Sequence, residues 1–182
     1  NIQRLYRLAS KTSVLPHWIR PEYQPTVSKQ EAREQLGWPQ DKPILFTLRA
    51  LIPRNGVEVA IDAVTPLAVR GMCKLVVSGG GPLRESLEKK ARSLGASPLQ
   101  VEFTGRVSDD FLLLAYQAAD LFLLPTIALE GFGLIVQEAL AMGLPVLGTE
   151  AGAIPELLWP ITPRCLVPPG DVAALRKQVE DF

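Results

Sequence analysis

Two glutamates with seven residues between them, Glu130 and Glu138, stand in a stretch that is otherwise apolar: Glu-Gly-Phe-Gly-Leu-Ile-Val-Gln-Glu. A carboxylate in such surroundings needs a partner, so the pair calls for a chemical account. Gly131 and Gly133 sit where a helix opens. They would expose several amides at the positive end of its dipole, a ready seat for phosphate oxygens. Glu138 falls about one and a half turns into that helix, projecting toward the same mouth. There a carboxylate can accept two hydrogen bonds from a vicinal diol such as a ribose, while Glu130 can reach a sugar attached to the far phosphate. The competing account makes Glu130 a partner of the helix dipole and Glu138 a surface residue.

A second group lies earlier, in Arg49-Ala-Leu-Ile-Pro-Arg54-Asn-Gly56. A guanidinium grips phosphate through two parallel charge-assisted bonds, so two of them flanking one loop could clamp a diphosphate. A pair of solvated surface arginines is the alternative. Ser78-Gly-Gly-Gly-Pro82 suits a backbone approaching an anion, and a tight strand-to-helix turn explains it equally well. Gly148 to Glu156 is rich in small residues. It permits either close contact with a ligand or a plain connection.

These loops are positioned by an alternation of apolar runs and helical segments. Strands are expected at 44–48, 74–77, 101–103, 121–124, 145–147 and 165–167. Helices are expected at 57–69, 83–94 (with Pro82 as a first helical residue), 109–119 (capped by Ser108), 133–142 and 155–158, with a last one capped by Asp171. Continuous apolar strands each followed by a helix imply a parallel sheet covered on both faces, a doubly wound α/β domain of Rossmann type. Ligands then bind beyond the carboxyl ends of the strands, at the loops beginning with Arg49, Ser78, Thr104, Pro125 and Gly148. The first forty residues read as an N-terminal helix, Asn1 to Ala9, and a proline-rich interdomain linker. That linker holds a short strand at Val14-Leu15-Pro16, and Ser28-Lys-Gln-Glu31 has the form of a capping box for a helix closed by Gly37. Residues 41–182 form the α/β domain.

Charge balance narrows the partners. Lysine plus arginine equals aspartate plus glutamate at 19 each, so no global basic field exists to hold nucleic acid. The single histidine, His17, excludes a histidine-based metal site or a Ser-His-Asp triad within the chain. Cys73 and Cys165 fit no metal spacing and read as two buried thiols in a reducing compartment. The most apolar stretch, 121–148, is broken by Pro125, Glu130, Gln137, Glu138 and Pro145, so it cannot span a bilayer.

The Glu130–Glu138 block with its sequel Ala-Leu-Ala-Met-Gly-Leu-Pro-Val146 resembles the C-terminal domain of the retaining glycosyltransferases with the GT-B fold, family 4. Gly79-Gly-Gly-Pro82, Phe103-Thr-Gly-Arg-Val107 and Ala119-Asp-Leu-Phe-Leu-Leu-Pro125 join it in the expected order. The resemblance runs from about Val14 to the end. It implies that Arg49 and Arg54 grip the diphosphate of a nucleotide-sugar donor, helped by amides of Gly133 and Leu134. Backbone at Arg106 and Val107 would hold the base, and Glu138 the ribose. Glu130, with Gly131 and Phe132, would contact the sugar and, as the catalytic carboxylate, support oxocarbenium character. No metal and no cofactor are implied. The acceptor (a sugar, a lipid or a small molecule) would sit mainly on a missing N-terminal domain, leaving this part inactive by itself. A cytoplasmic enzyme, peripheral at the membrane when whole, is the expected setting. Leu48 and Asn55 replace the family's usual glycine and lysine, and His17-Trp18-Ile19 its usual Asn-Gly-Val trio.

Two other classes compete. A glycosidase would use Glu130 and Glu138 as a carboxylate pair, and a non-catalytic nucleotide-binding α/β module would need neither the arginines nor both glutamates. NAD-dependent redox chemistry and P-loop hydrolysis lack their glycine and lysine fingerprints.

Overall fold

A computed structural model describes residues 18–161 and 163–182. The expected helix at 1–9, the strand at 14–16 and His17 lie outside the described residues. The first element is α1 (Lys29–Leu36). Ser28 Oγ accepts from the Glu31 amide at 3.2 Å while the Ser28 amide donates to Glu31 Oε2 at 2.8 Å, and Gly37 closes the helix in a left-handed conformation.

Six strands follow, β1 (Ile44–Leu48), β2 (Lys74–Ser78), β3 (Val101–Gly105), β4 (Leu121–Leu124), β5 (Val146–Thr149) and β6 (Leu166–Val167). They alternate with α2 (Val57–Val69), α3 (Arg84–Ser93), α4 (Asp109–Ala118), α5 (Leu134–Ala141), α6 (Ile154–Leu158) and α7 (Val172–Glu180). Every pairing is parallel, in the order β3-β2-β1-β4-β5-β6. This is the doubly wound, Rossmann-like sheet that the alternation implies.

The period of two along each strand sorts its side chains onto two cores. Ile44, Phe46, Phe122 and Val146 pack on one face with Tyr116 and Val136 of α4 and α5. Leu45, Leu75, Val77 and Leu123 pack on the other with Ile61 and Leu87 of α2 and α3. Tyr23, Ala32 and Trp38 enter the first core, and Gln117 Oε1 accepts the amides of Thr26 and Val27 at 2.7 and 2.9 Å. The segment ahead of β1 is thus packed on α4.

Several boundaries depart from expectation for visible reasons. Helix α3 starts at Arg84 because the Leu83 amide is drawn to Leu51 O at 3.1 Å, across to the neighbouring loop. Gly133 is the left-handed cap of α5 (φ 73°) and not its first residue. Cys165 ends a 3-10 turn, Pro163–Cys165, leaving β6 with two residues. Both cysteines are unpaired; Cys73 is buried, which pushes its thiol up to about 11, and Cys165 is half-buried. Among the described residues no helix is long and apolar enough to cross a membrane.

Winding proceeds one way from β1 through β2 to β3 and the other way from β4 through β5 to β6. The loops leaving β1 and β4 therefore diverge, and a crevice opens between them at the carboxyl ends of the strands.

Candidate functional site

Into that crevice β1 delivers Arg49, immediately after its last residue. One terminal nitrogen, Nη2, donates to Glu130 Oε2 at 2.7 Å, to Asn55 Oδ1 at 3.0 Å and to Thr126 Oγ1 at 3.0 Å. Thr126 also donates to Glu130 Oε2, at 3.3 Å. The Arg49 and Glu130 side chains are only 11% and 14% exposed, so this ion pair is largely withdrawn from water. Arg49 Nε is buried and has no acceptor among the described residues. A buried guanidinium N–H without a partner is uncommon in a folded chain.

Arg54 comes from the 3-10 turn Pro53–Asn55 that precedes α2. It is exposed, and its Nη1 donates to Leu129 O at a long 3.4 Å. Arg106 follows β3, and its side chain lies over Gly80, 3.3 Å from where a Cβ there would stand. Arg49, Arg54, Arg106, Glu130, Gly79 and Gly80 line one cavity of about 450 Å³. That size suits a small-molecule ligand. Three guanidinium groups face one carboxylate there, and the excess positive charge selects an anion.

The glycine run has a packing role. A Cβ on Gly79 (φ 119°) would stand 1.9 Å from Arg49 O. The Gly79 amide donates to Gly105 O at 2.7 Å, and Gly80 O accepts from the Leu51 amide at 2.9 Å. Gly79 and Gly80 thus hold the loops after β1, β2 and β3 against one another, the tight-turn reading of that motif. Gly152 does the same after β5, where a Cβ would lie 2.1 Å from Glu130 O and the next amide, of Ala153, donates to that oxygen at 3.2 Å. Beside Glu130, Leu129 holds a left-handed φ of 62°, a strained conformation for a branched side chain.

At the head of α5 the amides of Leu134 and Ile135 have no acceptor within the helix, and its dipole makes that tip positive. Gly131 and Phe132 are exposed on the approach, and Val107 is half-buried beside Arg106. Glu138 lies further along α5. It lines a second cavity of about 320 Å³, with Trp18, Arg20, Tyr23 and Leu134, and not the cavity of the arginines. Its Oε2 accepts from Tyr116 Oη at 3.2 Å. Burial first, and then the Glu138 charge, push the Tyr116 phenol well above its ordinary value, so it remains a donor. Arg20 in turn donates to Tyr23 Oη at 2.8 Å.

The structure therefore gathers Arg49, Arg54, Arg106 and Glu130, and sets Glu138 apart on the neighbouring face of α5. Sequence reasoning missed Asn55, Thr126, Tyr116 and the Arg20–Tyr23 pair. Tyr116 carried a signal: a lone phenol in an apolar helical run must find a partner when buried. Thr126 and Asn55 gave none, since both are ordinary loop residues until Arg49 is placed between them.

Residues 28–182 match the family model described as glycosyl transferases group 1. An uncharacterised glycosyltransferase of Methanocaldococcus jannaschii is 31% identical over 152 residues, 81% of this chain and 38% of that protein. A GDP-mannose-dependent phosphatidylinositol monomannoside mannosyltransferase of Mycolicibacterium smegmatis is 31% identical over 162 residues, 85% of this chain and 42% of that one. The chain thus spans about two fifths of the length of these relatives. The C-terminal domain of a group 1 glycosyl transferase of Francisella tularensis superposes with a TM-score of 0.72 at 25% identity, covering 87% of this chain and 84% of that domain. With its crevice of arginines at the winding reversal of a parallel sheet, this chain belongs to the glycosyl transferases group 1 family.

Proposed function

We propose that this chain binds the nucleoside diphosphate-sugar donor of a retaining glycosyl transfer, as the donor domain of a longer enzyme, with residues 1–40 joining it to an acceptor domain. The observation that carries this reading is the convergence of Arg49, Arg54 and Arg106 in one crevice with a single carboxylate, Glu130. A diphosphate is a compact anion that matches two or three guanidinium groups without a metal. Arg54, exposed on its turn, meets the diphosphate first. The amides of Gly133 and Leu134 meet it from the helix tip. The backbone at Arg106 and Val107 holds the base, and Glu138 takes the ribose hydroxyls.

In the reaction the bond from the anomeric carbon to the diphosphate breaks, the acceptor hydroxyl forms the new glycosidic bond on the same face, and its proton leaves with the diphosphate. Glu130, beside Gly131 and Phe132, stands where the sugar hangs from the far phosphate, and its charge supports the cationic sugar of the transition state. The arginines balance the charge that builds on the leaving diphosphate. Transfer needs an acceptor positioned against this face, so the domain by itself binds donor and turns over little. Acceptors are sugars, lipids or small molecules held by the other domain, and the whole enzyme works in the cytoplasm or against a membrane surface. A glycosidase reading has less support, because Glu130 and Glu138 line different cavities and Glu130 is neutralised by Arg49.

The mannosyltransferase relative makes GDP and GDP-mannose the first probes, with UDP, ADP and their sugars beside them. Thermal unfolding at a hundred times the dissociation constant is expected to show a gain of about 2.7 kcal/mol. No shift with any nucleotide or nucleotide-sugar overturns the proposal.

A further inference from the structure

Glu138 is a half-buried carboxylate on α5 that must offer its oxygens in one orientation to bind a diol. Tyr116 on α4 donates to its Oε2 at 3.2 Å, and Tyr23 lies close enough to feel the same carboxylate. The Tyr116 ring is itself fixed. It is 1% exposed, meets Phe46 edge-on at 5.8 Å and 80°, and packs against Phe122 at 5.7 Å and Tyr23 at 6.2 Å. Phe46 and Phe122 stand on β1 and β4, the two strands whose diverging loops make the crevice. A buried ring braced by both strands is a rigid post, and its hydroxyl is the one polar atom it extends to α5.

We propose that Tyr116 is a positioning residue: it fixes the orientation of the Glu138 carboxylate in which that group meets the ribose hydroxyls of the nucleotide. The inference rests on the donor-binding reading and assigns to a core residue the discrimination between ribose and deoxyribose. Tyr23 closes the other side of the same carboxylate's cavity, oriented by Arg20 at 2.8 Å, so residues ahead of the α/β sheet also shape the ribose end.

The test uses the 182-residue chain, with affinities for GDP, 2′-deoxy-GDP and inorganic pyrophosphate measured by calorimetry on the unaltered protein, Tyr116→Phe and Glu138→Gln. Tyr116→Phe keeps the ring and its aromatic contacts and removes only the donor. The unaltered protein is expected to prefer GDP over its 2′-deoxy form by about tenfold, the worth of one hydrogen bond to a charged group. Both variants should lose most of that preference while binding pyrophosphate as before. Equal losses for GDP, 2′-deoxy-GDP and pyrophosphate in Tyr116→Phe would show a merely structural role and overturn the inference, as would an unchanged preference. Failure of the unaltered protein to bind GDP, with UDP and ADP failing too, overturns the donor-binding reading and this inference with it.

Discussion

Arg49 and Arg54 carry the same charge and have opposite surroundings, and their substitutions should separate accordingly. The Arg54 side chain is exposed on a turn and donates to Leu129 O over a long 3.4 Å. Arg54→Ala is therefore expected to leave the melting temperature unchanged and to weaken nucleoside diphosphate binding at least tenfold, read by calorimetry. Glu130→Ala removes the partner of a largely buried guanidinium and should cost about 3 kcal/mol in denaturant unfolding. In binding, its loss should fall on the nucleotide-sugar more than on the free diphosphate. Equal losses for both forms would contradict the assignment of Glu130 to the sugar. At this scale the charged residues were legible and their pairing was not. The Glu130–Glu138 block and the Arg49–Arg54 spacing stand out in the chain, whereas the Arg49–Glu130 bond joins residues 81 positions apart. Only the reversal of winding at β1 brings them together.

Among the elements, α1 tests how firmly the segment ahead of β1 belongs to the domain. Asp120, just before β4, accepts from Lys29 at 2.7 Å, from the buried Arg33, and from the Ile44 amide at 2.7 Å. Asp120→Ala leaves Arg33 without its counter-ion inside the fold. A loss of about 3 kcal/mol is expected, roughly 10 °C in melting temperature for a chain of this size. The capping box gives α1 an acid sensitivity. Hydrogen bonds from the Ser28 hydroxyl, and then from its amide, hold the Glu31 carboxyl below the ordinary value. A depressed carboxyl stabilises the fold fully above its unfolded pKa of about 4.3 and loses that contribution as the pH falls through its lower folded value. Glu31→Gln should flatten that limb of a stability-against-pH curve measured by circular dichroism. The box itself was readable from Ser28-Lys-Gln-Glu31, as were β1, α2 and β4, which fall on the expected residues. Boundaries at Leu83, Gly133 and Cys165 were not, because loop-to-loop hydrogen bonds and a left-handed cap decided them.

For the molecule as a whole, alternating apolar runs specified a parallel sheet with two covered faces, and the two cores are what that alternation produces. Strand order is a non-local property and left no local trace. The same holds for the separation of Glu138 from the arginine crevice, which depends on how α4 and α5 face each other. One feature of the mouth sets how this scaffold could be diversified. Its inner wall is main chain pressed on main chain: Gly79 leaves no room beneath Arg49 O, nor Gly152 beneath Glu130 O. Under the donor-binding proposal, variation in preference has to come from the outer lip, at Arg106 and Leu129, both exposed in the same cavity. A library randomised at those two codons would sample altered ligand preference on an unchanged frame, while changes at the glycines would mostly yield chains that fail to fold.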